Sequence, residues 1–167
     1  MNGSHIVLAL GSNIGDRLDI LQGGVDAIAA LQGVSVDVAS PVYETAPVGG
    51  PEQPDYLNAV LLARTVQPPR TLLDLLHGVE ASFDRVREVR WGPRTLDVDI
   101  ITYEGVLSHD PDLTLPHPRA HERAFVLAPW HDADPAAVLP GHGPVADLLA
   151  ATGDGGIRRS TEELILW

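Results

Sequence analysis

The 167-residue sequence contains no cysteine and no lysine. Without cysteine there is no thiolate nucleophile, no disulfide framework and no cysteine zinc site. Without lysine there is no Schiff-base chemistry and no P-loop lysine to hold a phosphate. The 11 basic residues are therefore all arginines, and 23 acidic residues leave a net charge of −12. Because this charge repels nucleic acids and anionic membrane surfaces, we expect small-molecule partners.

Long apolar runs are also absent. Residues 6–10 are too few for the core of a signal peptide, and no run approaches the ~20 apolar residues of a membrane-spanning helix. The length suits one hydrophobic core. We therefore expect one domain over residues 1–167, located in the cytoplasm as a monomer, with no membrane association.

Hydrophobic periodicity predicts strand, helix, strand, strand, helix and strand, in that order. Asp16 can cap the first helix, and Thr71 with Asp74 resembles the cap of the second. The predicted segments are strand 6–10, a helix over 16–31, strand 34–43, strand 56–63, a helix over 71–83 and strand 95–103.

This βαββαβ order is that of ferredoxin-like α+β folds. We therefore expect an antiparallel sheet with both helices on one face. Beyond Pro118 the pattern predicts helices over 119–127 and 145–151 and a last strand over 163–167. These additional C-terminal helices are expected to cover the other face, which gives three αβα layers.

Asp97 and Asp99 provide the sharpest chemical signal. Alternate residues of a strand share a face, so the two carboxylates project the same way, roughly 6 to 7 Å apart. Hard oxygen ligands without histidine or cysteine at that spacing favour magnesium, which takes one or two carboxylates together with phosphate oxygens. On these two acids alone, a solvated strand face with unrelated carboxylates stays an open alternative.

An arginine cluster stands directly before these acids: Arg85, Arg87, Arg90 and Arg94. Residues 84–94 contain four arginines and two acids, so their local charge is +2 in an otherwise acidic chain. Guanidinium groups bind phosphate oxygens in pairs, so the cluster beside two acids indicates a polyphosphate site with magnesium. From composition alone, arginines that only neutralise nearby acids remain an equal alternative.

Tyr56 and Asn58 form a second candidate pair. In a strand they point to one side and offer an aromatic face with an amide beside it, which suits a planar heterocycle. A core tyrosine and a hydrogen-bonding asparagine are the alternative. His117 stands between two prolines and can contact a phosphate, although a lone loop histidine is more often incidental.

Four motifs stand in order along the chain: LGSN at 10–13 with Gly15 and Asp16, QPDYLN at 53–58, residues 90–99, and LPHP at 115–118 with Arg123 and Phe125. Together they resemble the 6-hydroxymethyl-7,8-dihydropterin pyrophosphokinase family of folate biosynthesis. The match extends over nearly the whole chain, and the ordered set is more specific than any single motif.

The resemblance implies transfer of the β,γ-pyrophosphoryl group of ATP to the 6-hydroxymethyl oxygen of the dihydropterin, with AMP as the second product. It implies two magnesium ions (Mg²⁺) held by Asp97 and Asp99. It also implies that Arg85 and Arg94 assist the chemical step. The residues it assigns to ATP are Leu73, Glu80, Arg87, Arg90, Ile100, His117 and Arg123.

The resemblance also implies where the pterin lies. The ring stacks between Tyr56 and Phe125, Asn58 and Thr45 make polar contacts, and Trp91 closes over the site. Three positions depart from the better-known pattern around the adenosine: His77, Asp112 and Pro118.

Two functions of other classes remain open on sequence alone. A non-catalytic pterin- or nucleotide-binding module would keep Tyr56 and Asn58 but would not need the paired carboxylates. An RNA-binding ferredoxin-like domain would use Trp91 and the arginines. Outside residues 84–94, however, the chain carries −14, which is −12 less +2, so it repels RNA. The paired acids therefore favour the enzyme.

Overall fold

The computed structural model describes residues 3–13, 15–46, 55–83, 95–153 and 156–166. The first half of the chain runs β1 (Ser4–Ser12), α1 (Arg17–Ala29), β2 (Val34–Ala39), β3 (Tyr43–Thr45), β4 (Tyr56–Thr65), α2 (Pro69–Phe83) and β5 (Asp97–Tyr103). The second half adds β6 (Ser108–Asp110), β7 (Leu113–Leu115), a 3-10 helix (Ala120–Glu122), α3 (Ala124–Ala133), β8 (Val138–Leu139), β9 (Gly143–Pro144), α4 (Val145–Thr152) and β10 (Ile157–Arg159). None of the helices in these ranges is long and apolar enough to cross a membrane.

An antiparallel sheet organises these elements. Its strands lie in the order β10, β3, β4, β1, β5, and β2 also pairs with β4. β1 is an inner strand, and its register places Gly11 between Asn58 of β4 and Asp97 of β5. The pairing therefore brings candidate residues that are distant in sequence to one end of the sheet.

Alternate residues of β1 enter two different hydrophobic cores. Ile6, Leu8 and Leu10 belong to the core that includes α1 and α2, whereas Val7 and Ala9 contact the core that includes α3 and α4. Since successive strand residues point to opposite faces, the helices cover both faces of the sheet. The expected three layers, the antiparallel sheet and the mixed α+β class are confirmed.

Two predicted element boundaries were wrong in the first half of the chain. The strand expected over 34–43 divides into β2 and β3, because Pro41 has no N–H and the Ser40 hydroxyl accepts a hydrogen bond from the backbone N–H of Val60 at 2.8 Å. The second helix begins at Pro69 rather than Thr71, since proline fits the first helical position.

The C-terminal predictions also need correction. Instead of one helix over 119–127, a 3-10 helix precedes α3, because Arg123 is extended (φ −108°, ψ 101°) between them. No strand forms over residues 163–166, where both backbone groups of Ile165 bond to the Gln22 side chain at 2.8 Å. The sequence did not predict β10, which adds to the sheet beside β3.

Candidate active site

A cavity of about 590 Å³, the first cavity, opens at the end of β1. Strands β1, β3, β4, β5 and β10 contribute to its wall, together with the start of α3 and the end of α4. Four residues that the sequence predicts for a pterin line it: Thr45, Tyr56, Asn58 and Phe125. The fold therefore brings together every predicted pterin residue that the structure describes.

Asn58 is buried in the wall of the first cavity and hydrogen-bonded there. Its side-chain nitrogen donates to the Thr45 hydroxyl at 2.8 Å, and the residue is only 6% exposed. Gly11 provides space beside it, since a Cβ at that position would lie 3.1 Å from Asn58 Oδ1 and 3.6 Å from the Tyr56 ring. The amide keeps its oxygen and a second N–H for a bound molecule.

Arg123 and Phe125 also line the first cavity. The guanidinium carbon of Arg123 lies 5.5 Å from the centre of the Phe125 ring, within range of a cation–π interaction. The sequence assigned Arg123 to ATP, whereas the structure places its side chain in the wall with the predicted pterin residues.

A second cavity of about 390 Å³ lies between α2, β5 and the β6–β7 hairpin. Four residues predicted for ATP line it: Leu73, Glu80, Ile100 and His117. The three positions that depart from the family pattern also line it: His77, Asp112 and Pro118. The Glu80 carboxylate accepts from the backbone N–H of Val98 at 2.9 Å, which fixes α2 against the strand that carries the two acids.

His117 is positioned by its backbone and its ring. Its N–H donates to the Ile101 carbonyl at 2.8 Å, and its Nδ1 accepts from the backbone N–H of Arg119 at 3.2 Å. In the neutral ring Nε2 is therefore the donor. Burial lowers the pKa of His117, Asp99 opposes this effect, and Arg123 and Arg119 lower the pKa further.

Asp97 and Asp99 belong to both cavities. They alternate with buried Val98 on β5, so both carboxylates lie on one face of the strand, Asp97 half-buried and Asp99 exposed. Among the described residues no group of three acids, histidines or cysteines could hold a metal. Two carboxylates with room for phosphate oxygens nevertheless suit magnesium, and the donor set fits that ion.

Five predicted site residues lie outside the described residues: Arg85, Arg87, Arg90, Trp91 and Arg94. Conversely, the residues that line the first cavity but were not predicted for the site include Glu122, Thr152 and Ile157. Gly11 appeared in the sequence only as part of the LGSN motif at 10–13. Its place beside Asn58 follows from strand register, which the sequence did not supply.

A sequence model of the family described as 7,8-dihydro-6-hydroxymethylpterin-pyrophosphokinase (HPPK) matches residues 7–135. The chain belongs to the HPPK family. It is 43% identical over 152 residues to the 2-amino-4-hydroxy-6-hydroxymethyldihydropteridine pyrophosphokinase of Methylorubrum extorquens, covering 91% of this chain and 96% of that one. It is 45% identical over 160 residues to the pyrophosphokinase of the same name from Mycobacterium tuberculosis, covering 88% and 83%.

Solved HPPK structures share the fold. An HPPK-DHPS in complex with substrates superposes with a TM-score of 0.76 at 11% identity, over 95% of this chain and 48% of that chain. A triple mutant of Plasmodium falciparum HPPK-DHPS superposes with a TM-score of 0.69 at 13% identity, with the same coverage. This HPPK chain therefore spans about half the length of these proteins.

Proposed function

We propose that the two cavities separate the two substrates of the HPPK reaction, with the pterin in the first, ATP in the second, and Asp97 and Asp99 between them. The reaction of this chain is the transfer of pyrophosphate from ATP to 6-hydroxymethyl-7,8-dihydropterin in folate biosynthesis. The observation that carries the proposed arrangement is that the same two carboxylates line both cavities.

The first cavity suits a flat heterocycle. Tyr56 and Phe125 supply aromatic surface, and the Asn58 amide, held by Thr45, supplies hydrogen bonds at a fixed orientation. Apolar faces with a few placed polar groups are the usual recognition of a planar ligand. Because the Asn58–Thr45 hydrogen bond is already formed, the Asn58 amide is oriented before the pterin binds.

The second cavity receives the nucleotide. Leu73 and Ile100 offer apolar surface, while Glu80 and His117 offer a carboxylate and an imidazole. Arg123 stands where the cavities meet, since it lines the first cavity and lowers the pKa of His117 in the second. There its guanidinium can pair with the phosphates that are transferred.

Asp97 and Asp99 are the residues that would hold magnesium beside the triphosphate. Bound magnesium would neutralise phosphate charge and help to orient the reacting groups. Of the arginines assigned by the resemblance, Arg85 and Arg94 remain proposals for the chemical step, and Arg87 and Arg90 for ATP. Trp91 remains a proposal for closing over the pterin.

The proposed step is an in-line displacement at the β-phosphorus of ATP. The 6-hydroxymethyl oxygen of the pterin forms a bond to this phosphorus and releases its proton to water, and the bond from the β-phosphorus to the oxygen that bridges to the α-phosphorus breaks. AMP leaves with that bridging oxygen. The protein contributes mainly position and charge, as in other phosphoryl transfers.

The products test the proposed function. Incubation of the purified protein with ATP, magnesium and 6-hydroxymethyl-7,8-dihydropterin should give AMP and the pterin diphosphate in equal amounts, measured by ion-exchange chromatography. Asp97→Asn and Asp99→Asn should each slow AMP formation by at least about 100-fold, whereas Asp74→Asn, on the exposed surface of α2, serves as the matched control. ADP as the product, or full activity in both variants, would overturn the proposal.

Four finer statements belong to the same proposal: the topology of the core, the single domain, the oligomeric state and the location. The chain order and pairing of β1 to β5 support a ferredoxin-like core in which β2 and β3 together take the place of the second strand. A single domain that acts as a monomer in the cytoplasm stays a prediction, which light scattering and cell fractionation would test.

A further inference from the structure

The C-terminal strand β10 forms part of the first cavity although it lies beyond the family match at residues 7–135. It pairs with β3, so that Ile157 lies opposite Thr45 and Arg158 opposite Glu44. Ile157 and Thr45 both line the cavity. A segment outside the family match therefore completes the wall that we assign to the pterin.

Arg158 joins two carboxylates through a single atom. Its Nη2 lies 2.7 Å from Glu44 Oε2 and 3.2 Å from Asp55 Oδ2. A second arginine also holds Asp55, because Nη1 of Arg17 donates to the Asp55 carbonyl at 2.7 Å. Asp55, which directly precedes β4, is therefore bound both by β10 and by the first residue of α1.

The two carboxylates stand immediately before the residues that contact the cavity. Glu44 precedes Thr45, Asp55 precedes Tyr56, and Thr45 lies opposite Tyr56 in the pairing of β3 with β4. We propose that Arg158 is a positioning residue for the pterin, which fixes the distance between these two strand ends and hence the orientation of Thr45 and Tyr56. This inference rests on the assignment of the first cavity to the pterin.

Electrostatics explains how Arg158 can position these two strand ends while contributing little to the stability of the fold. Removing the guanidinium leaves Glu44 and Asp55 with two negative charges that repel each other. The Arg158 side chain is 67% exposed, and exposed ion pairs contribute little to global stability. The effect of its loss should therefore be local, on the spacing of the strand ends.

Steady-state kinetics of Arg158→Gln tests the proposal. We expect the KM for the pterin to rise about fivefold, with kcat, the KM for ATP and the thermal midpoint of unfolding close to those of the original chain. Arg159→Gln is the matched control, since this neighbour on β10 forms no ion pair among the described residues. Arg158→Lys should keep a low KM because one ammonium nitrogen can replace the single atom that makes both contacts.

Salt gives a second readout that does not depend on the variant's folding. The pterin carries no net charge, so its own binding should be insensitive to ionic strength. If exposed ion pairs set the geometry, screening should weaken pterin binding to the original chain, measured by pterin fluorescence with a non-hydrolysable ATP analogue present. In Arg158→Gln added salt should not weaken pterin binding, because screening there only reduces the repulsion between Glu44 and Asp55.

An unchanged pterin KM in Arg158→Gln, or equal salt sensitivity in the original chain and the variant, would overturn the role of Arg158. A poorly folded variant would leave the salt titration of the original chain as the test, and pterin binding that is independent of salt would then overturn it. These outcomes are distinct from failure of the proposed function, in which the original chain would form no AMP.

Discussion

Asn58 and Thr45 act as one unit in the wall of the first cavity, because a single hydrogen bond of 2.8 Å joins their side chains across β3 and β4. Asn58 is buried, so its amide orientation is determined by this bond rather than by water. A hydrogen bond in such a setting fixes which polar atoms of the amide face the ligand. Pterin recognition should therefore depend on both residues together.

The prediction at this site is a coupled pair of variants. Asn58→Ala should raise the KM for the pterin about tenfold, the effect expected from losing hydrogen bonds worth ~1.4 kcal/mol. Thr45→Val should raise this KM by a smaller factor. The double variant should lose less binding free energy than the sum of the two single variants, since both single changes remove the same hydrogen bond. Steady-state kinetics measures all three. Strict additivity would contradict the coupling.

The two-residue period of strands accounts for the site residues that could be predicted. It placed Tyr56 with Asn58 and Asp97 with Asp99, and the structure puts each pair on one face and all four residues around one cavity. Ile157 could not be predicted in this way, because a strand of three residues is too short to show an alternating pattern of apolar and polar residues. Its position in the wall follows only from pairing with β3.

Helix glycines differ in what surrounds them. A Cβ at Gly24 in α1 would lie 3.0 and 3.2 Å from the two methyl carbons of Leu96, and Leu96 is fully buried. In α2, a Cβ at Gly78 would meet nothing within 4 Å. Gly24 therefore permits close packing of α1 against Leu96, which directly precedes the strand that carries Asp97.

These two glycines give opposite predictions for one substitution. Gly78→Ala should raise the free energy of unfolding by ~0.5 to 1 kcal/mol, because alanine favours the helix and nothing obstructs its methyl group. Gly24→Ala should lower it by about 1 to 2 kcal/mol, since overpacking exceeds the gain in propensity. Urea denaturation measures both. A stabilised Gly24→Ala would contradict the packing argument.

A hydrogen bond from Tyr43 to the Asp132 carboxylate joins β3 to α3. Burial and this bond raise the pKa of Tyr43 to about 12, from an ordinary value of 10.0. The phenol loses its proton at a lower pH in the unfolded chain than in the folded one. The stabilisation that this group contributes is therefore fully present below pH 10.0 and declines as the pH rises toward 12. The bond also positions β3, which carries Thr45.

Tyr43→Phe should reduce this decline. Between about pH 9 and about pH 11, the free energy of unfolding should fall by ~1 kcal/mol less in the variant than in the original chain, a value reduced for the partial exposure of the group. Urea denaturation at the two pH values gives the difference. An identical decline in both proteins would contradict the link between β3 and α3.

The order of elements was easier to predict than their ends. Apolar periodicity predicted β1, α1, β4, α2 and β5 in the right order, but it predicted β2 and β3 as one strand. The C-terminal part was predicted poorly, since the extended Arg123 separates two short helices and the backbone of Ile165 bonds to a side chain of α1. Neither feature produces a hydrophobic periodicity that could be recognised in the sequence.

For the molecule as a whole, the absence of lysine limits the ways in which phosphates can be bound. A chain with a net charge of −12 has to bind a polyphosphate, and its lysine-free sequence excludes the P-loop solution. We propose instead that arginines and magnesium at two aspartates neutralise the phosphates. In the fold, β5 contributes to both cavities, so that one pair of carboxylates lines both of them.

A crystal structure with a non-hydrolysable ATP analogue, 6-hydroxymethyl-7,8-dihydropterin and manganese in place of magnesium tests this arrangement most directly. We expect the pterin between Tyr56 and Phe125, the nucleotide beside Glu80 in the second cavity, and anomalous metal signal at the carboxylates of Asp97 and Asp99. A pterin bound in the second cavity, or metal bound away from both carboxylates, would contradict it.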